Sequence, residues 1–307
     1  MTDPFALVGT VLDRRFAIDR AVARGGFGIV YQARHINLKR PAAIKVLVMP
    51  RGLNTREKRV FLEGFEREAQ TVAALDHPAI VRAYDFGISR EPERPDLPWL
   101  ALEWVEGESL AQRLVARGAA PFTPAEALSV LRPVFDALSY AHELGVAHRD
   151  IKPAHVILTG GRHGAAAARL LDFGVAKVMA PEESVGSGQT RTMAAFRAFT
   201  SEYAAPEQKV GARTGPWTDV HALGLVLTEM LTGRAPYPTG NRMEIEQHIM
   251  APTRPTPARF GVDVGAWEPV LARALSLRAP ERFERASALL DALLASVPER
   301  PPSTAAT

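Results

Sequence analysis

Several charged residues in this chain stand where an apolar setting or a dense motif calls for a chemical reason. Lys45 ends Ala42-Ala43-Ile44-Lys45 inside a run rich in β-branched and apolar residues. An ammonium there either turns to solvent or meets an anion. Glu68, within a segment of helical spacing, either faces water or pairs with Lys45 and holds it against phosphate oxygens. His148-Arg149-Asp150-Ile151-Lys152-Pro153 follows a long apolar segment, and three titratable or charged residues in succession predict an exposed loop. Asp172-Phe173-Gly174 comes 22 residues after Asp150, behind Leu170-Leu171. Two acids on loops after short apolar strands can supply one proton-accepting base and one ligand for a hard cation. Ala23-Arg24-Gly25-Gly26-Phe27-Gly28-Ile29-Val30 lies between two predicted strands. Its glycines either let backbone N–H groups approach phosphate oxygens or form a plain hairpin turn. The strand-loop-strand setting argues against a dinucleotide fold, whose glycine motif opens a helix.

The elements that must position these groups change character along the chain. Strands are expected at Phe16–Val22, Ile29–Tyr31, Ala42–Val48, Ile80–Ile88 and Trp99–Val105, with a proline-rich loop at Pro92, Pro95 and Pro98 before the last. One amphipathic helix, about Thr55 to Leu75, places Val60, Phe61, Phe65, Ala69, Val72 and Leu75 on its apolar face. Beyond Gly107 the pattern is helical: Ser109–Ala116, Pro124–Leu144, Asp219–Leu231, Met243–Met250, Val264–Leu275 and Ala286–Ala295. The expectation is an α+β chain of two lobes: a small antiparallel sheet with one helix over residues 10–104, a larger helical lobe over 105–297, and a proline-bearing flexible tail over 298–307. A cleft between lobes is a usual ligand site.

Composition narrows the classes. The 307 residues carry Lys+Arg 37 and Asp+Glu 34, a formal charge of +3, and this is not the dense basic stripe that nucleic acid requires. No nucleic-acid partner is expected. The absence of cysteine excludes disulfides, thiol catalysis and thiolate metal sites. The N-terminus has no signal-like pattern and no apolar run approaches about 18 residues, so no membrane span and a cytoplasmic location are expected.

Taken together and in order, the motifs resemble the bacterial eukaryotic-type (Hanks-type) serine/threonine protein kinases over roughly residues 16–295. The resemblance implies a two-lobed kinase fold and ATP-dependent phosphorylation of Ser and Thr on proteins. It implies that Val22, Gly25, Gly26, Phe27 and Gly28 bind ATP, the glycine-rich loop at its phosphates, and that Lys45 binds the phosphates while held by Glu68. Val30, Ala43 and Ile157 would sandwich adenine, Leu102 would be the gatekeeper, and Glu103 to Val105 the hinge. Asp150 would accept the hydroxyl proton, Lys152 would support the γ-phosphate, and Asp172 would ligate magnesium. Lys152, two residues after the base, is similar to the serine/threonine branch rather than the tyrosine branch. Thr190 and Thr192 would be phosphorylated in the activation segment, with Arg149 receiving the phosphate and Thr200 contacting Asp150; a homodimer would serve trans-autophosphorylation. Glu207 with Arg282 resembles the family's buried ion pair, and Asp219 its anchor for the catalytic loop. These three favour protein over small-molecule substrates.

The chain departs from the pattern at Ala23, in place of a glycine, and at His155, in place of a metal-binding asparagine. Imidazole is a poor partner for magnesium. His155 leaves four readings open: a manganese ligand, a positive charge near the phosphates, a plain hydrogen-bonding group, or loss of activity. The last makes a nucleotide-binding pseudokinase the alternative to an active kinase.

Overall fold

The computed structural model describes residues 3–25, 28–50, 52–90, 95–160, 167–173, 202–238 and 240–296. Gly26, Phe27, Thr190, Thr192, Thr200 and the tail 298–307 lie outside the described residues.

The first lobe is an antiparallel sheet built from β1 (Val11–Leu12), β2 (Phe16–Gly25), β3 (Gly28–His35), β4 (Arg40–Leu47), β5 (Ala83–Ser89) and β6 (Leu97–Glu103), in the order β1-β2-β3-β4-β6-β5. Alternation along β3 and β4 sends Ile29, Tyr31, Ala33, Ala42, Ile44 and Val46 into a core with Phe16 and Trp99. Helix α1 (Thr55–Ala73) starts at a capping box in which Asn54 and Glu57 satisfy each other's backbone N–H groups, and it seats Phe65, Glu68, Ala69 and Val72 inward. Val60, expected on that apolar face, is exposed. Pro98, expected in the preceding loop, is instead in β6, opposite Ile88.

Gly28 fixes how closely β3 approaches β4. A Cβ there would lie 2.1 Å from the Val46 carbonyl oxygen, a backbone atom that cannot swing aside. Gly28→Ala is therefore expected to destabilise the protein by about 1–3 kcal/mol, the usual cost of overpacking. A lowered urea midpoint with an unchanged slope would check it.

The second lobe begins at β7 (Glu108–Ser109), which pairs with β8 (Val156–Thr159) and β9 (Ala167–Leu170) in a small three-stranded sheet. The helices of this lobe are α2 (Leu110–Arg117), α3 (Pro124–Glu143), α4 (Pro206–Val210), α5 (Pro216–Thr232), α6 (Arg242–Met250), α7 (Trp267–Ala274) and α8 (Ala286–Ala295), with α2 and α3 packed on that sheet. Capping boxes at Ser109 with Gln112 and Thr123 with Glu126 start α2 and α3. Helix α5 is buried on nearly every side and forms the axis of this lobe. It begins at Pro216, three residues before its expected start, because proline suits the first helical turn. Among the described residues no helix is long and apolar enough to cross a membrane.

Candidate active site

The site is assembled on Asp219, in the first turn of α5, where the helix N-terminus favours a negative charge. Its Oδ2 accepts the backbone N–H of His148 at 2.7 Å and its Oδ1 that of Arg149 at 2.6 Å. His142 Nδ1 accepts the Ala286 N–H at 3.3 Å, so its Nε2 carries the proton that it donates to Asp219 at 2.9 Å. Burial alone would raise the Asp219 carboxyl, but the hydrogen bonds and charges of His142, His148 and the Arg149 N–H outweigh it and hold the group below its ordinary range. Arg149 sits at φ 68°, a left-handed conformation that residues other than glycine, Asn and Asp adopt only at a cost. Its peptide is held from both sides, since Gln208 also donates to the Arg149 carbonyl at 2.8 Å.

Around Asp150 the acids and bases converge. Lys152 Nζ lies 2.8 Å from Asp150 Oδ2, and Lys45 Nζ lies 2.8 Å from Asp172 Oδ2. His155 stands between the two acids: Nδ1 is 2.8 Å from the Asp150 carbonyl oxygen and 3.5 Å from its Oδ2, while Nε2 is 3.3 Å from Asp172 Oδ2. Burial pushes the imidazole down to about 4 against the pull of Asp172 and Asp150. Burial would raise Asp172, yet Lys45 first and His155 next keep its carboxyl well below the usual carboxylate range. Asp172 also has positive φ, 64°. Its neighbour Phe173 is buried against the His148 ring at 4.7 Å between centroids, which fixes the segment from behind.

Glu68, expected to hold Lys45, occupies the same buried wall, with Leu47 and Phe65. Lys45 itself reaches the Asp172 carboxylate across the cleft. Ala43, Leu102 and Val105 pack in one apolar cluster above the cleft, and Ala43 lies opposite Leu102 in the sheet. Val30 pairs with Lys45 across β3 and β4, while Val22 and Gly25 lie toward the end of β2. Ile157 is on β8, opposite Arg169. Asp172 and His155 supply two donors on one side of the cleft. Among the described residues no group of three or more His, Asp or Glu side chains is placed to hold a metal alone.

Arg169 emerges only from the fold, while the buried Glu207–Arg282 pair is already expected from the sequence. Glu103, at the end of β6, accepts Arg169 Nη2 at 2.6 Å, and the same nitrogen donates to the Ile80 carbonyl at 3.2 Å. Arg169 thus clips the cleft's rear strand to the connection between lobes. On the Lys152 side a cavity of about 410 Å³ is lined by Lys152, Pro153, Leu114, Tyr203 and Glu229, with the Tyr203 hydroxyl donating to the Glu229 carboxylate. Farther out, Arg282 donates twice to Glu207, both at 2.9 Å, with both side chains buried.

The model of the protein kinase domain matches residues 16–306. The chain is 34% identical over 277 residues to the serine/threonine-protein kinase PknB of Mycobacterium tuberculosis, covering 90% of this chain and 42% of that protein. It is 33% identical over 282 residues to the serine/threonine-protein kinase PrkC of Bacillus subtilis, covering 91% and 40%. The chain therefore spans about two-fifths of the length of these relatives. The crystal structure of the Mycobacterium tuberculosis PknI kinase domain is similar at a TM-score of 0.68 with 26% identity, covering 94% of this chain and 98% of that one. An acid-and-lysine cleft between a curled sheet and a helical lobe, matched along nearly the whole chain, places this protein in the protein kinase family, with the serine/threonine protein kinases of bacteria.

Proposed function

We propose that the chain transfers the γ-phosphate of ATP to Ser or Thr hydroxyls of proteins. The observation that carries this reading is the convergence of Lys45, Asp172, Asp150 and Lys152 in one cleft, each lysine 2.8 Å from one acid. Ala43, Leu102 and Val105 offer adenine an apolar seat, and the backbone after Glu103 offers it hydrogen bonds. Lys45 is placed to meet phosphate oxygens while keeping Asp172 ionised. Asp172, with His155 beside it, would hold a divalent cation, magnesium or manganese, which when bound neutralises phosphate charge. Asp150 accepts the proton of the incoming hydroxyl, and Lys152 steadies both that carboxylate and the transferred group. The cavity beside Lys152, with Glu229 in its wall, gives an acceptor segment a place to lie.

Thr190 and Thr192 remain our candidates for phosphorylation between two copies of the chain, with Arg149 as the receiving cation and Thr200 near the base. Gly26 and Phe27 complete the phosphate cover in this reading. The lobe boundary at 104/105 and the cytoplasmic location are part of the same proposal. Transfer of labelled γ-phosphate to the chain itself and to a basic protein substrate tests it, with magnesium and manganese in separate reactions. Absence of incorporation with both metals overturns it.

The Arg169 clip makes a separate prediction. Arg169→Ala frees the Glu103 carboxylate at the hinge, a partly exposed charged contact worth about 1 kcal/mol. KM for ATP is expected to rise about fivefold with little change in kcat, and Arg169→Lys to recover part of the loss.

A further inference from the structure

We infer that His155 turns the cation position of this cleft into a mixed nitrogen and oxygen site that prefers manganese(II) to magnesium once nucleotide is bound. The inference rests on the proposal that the cleft binds ATP. It is carried by the orientation of one ring. Nδ1 lies 2.8 Å from the Asp150 carbonyl oxygen. A carbonyl only accepts, so Nδ1 bears the proton and a neutral ring presents its lone pair at Nε2. That lone pair faces Asp172 Oδ2 at 3.3 Å. The separation is longer than the roughly 2.7–2.9 Å of a charge-assisted hydrogen bond, a distance that Lys45 does reach on the same oxygen, at 2.8 Å. Two lone-pair donors 3.3 Å apart suit a shared cation, subtending about 100° at an ion roughly 2.1 Å from each.

The support behind the ring fits the same role. Ligating histidines commonly donate their second N–H to a backbone carbonyl, which fixes tautomer and direction. Here that carbonyl belongs to Asp150, whose own peptide N–H donates to His148 at 3.2 Å, so His155 is oriented by the catalytic loop itself. Magnesium demands oxygen ligands and keeps its waters, whereas imidazole suits first-row transition metals. With two such protein donors facing each other among the described residues, phosphate oxygens complete the shell. Tight manganese binding is therefore expected only in the presence of nucleotide.

Pulsed electron paramagnetic resonance of manganese(II) bound to the full chain with a non-hydrolysable ATP analogue tests this directly. Imidazole ¹⁴N coupling is expected in the native protein, replaced by ¹⁵N coupling when the protein carries ¹⁵N-histidine, and absent in His155→Asn. The native protein labelled in this way needs no substitution, so a folding defect in the variant cannot obscure the result. In competition, the magnesium concentration that displaces half the manganese is expected to fall about tenfold in His155→Asn, with the analogue's shift of the melting temperature confirming that the variant still binds nucleotide. Bound manganese without histidine nitrogen coupling, an unchanged competition ratio, or no manganese binding with the analogue present would each overturn the inference. Phosphotransfer to protein is measured separately, so the kinase reading stands or falls on its own.

Discussion

Asp150→Asn is expected to lower the rate of phosphotransfer by about 10³-fold while leaving nucleotide affinity within about twofold. Asparagine keeps the shape of the side chain and can still accept from Lys152, which lies 2.8 Å from Asp150 Oδ2 in the native protein. What it cannot do is take up the hydroxyl proton as the new phosphate ester forms. The groups proposed to hold nucleotide, Lys45 and Asp172, pair with each other at 2.8 Å and are untouched. The loop also keeps its shape, because His148 and Arg149 are tied to Asp219 through their backbone N–H groups rather than through Asp150. Single-turnover transfer to a protein substrate, beside a thermal-shift titration with ATP, separates the two effects. A variant that retains more than a tenth of the native rate would show that Asp150 is not the proton acceptor. A parallel loss of nucleotide affinity would point instead to a collapsed cleft.

How far the site is readable in the sequence depends on how local its chemistry is. Asp150, Lys152 and Asp172 stand in short motifs because neighbouring residues set their directions, and Lys45 stands out as a cation in an apolar strand. The braces are different. His142 reads as one more residue on the inner face of an apolar helix, and its partner Asp219 is 77 positions away. Arg169 and Glu103 are 66 positions apart, and each alone resembles an ordinary surface charge. Strands β8 and β9 have four residues each, too few for alternation to declare itself, although they carry Ile157 and Arg169 to the cleft. The pairing of Lys45 with Asp172 is set by the fold, and spacing along the chain does not contain it. His155 is visible as a departure from the family's pattern, but its meaning depends on which ring nitrogen faces Asp172, and only the folded loop sets that.

Arg282→Met is expected to cost about 3–5 kcal/mol of stability, because it leaves the Glu207 carboxylate buried without its counter-ion. The native guanidinium makes two 2.9 Å bonds to Glu207 and also donates to the carbonyls of Ser276, Leu277 and Trp217. One residue thereby joins α4, the start of α5 and the segment before α8. Among the described residues, the Thr218 hydroxyl, at 2.8 Å, is the side-chain donor left to Glu207 in the variant, and a single neutral donor does not repay the desolvation of a carboxylate. For a chain of this size the loss corresponds to a fall in Tm of roughly 10 °C. Replacing both partners, Glu207→Gln with Arg282→Met, removes the stranded charge, so the double variant is expected to be more stable than Arg282→Met alone. It should remain below the native protein, since the three carbonyls still lack their donor. Calorimetry of the native protein, both single variants and the double variant gives the coupling. Additive losses would mean that water reaches Glu207 once Arg282 is gone, and that the pair does not act as a buried unit. A coupling of about 2 kcal/mol or more would mean that α4, and with it the Gln208 bond to the Arg149 carbonyl, is held in place by a charge pair more than 70 residues apart in sequence, linking the stability of the outer lobe to the shape of the catalytic loop.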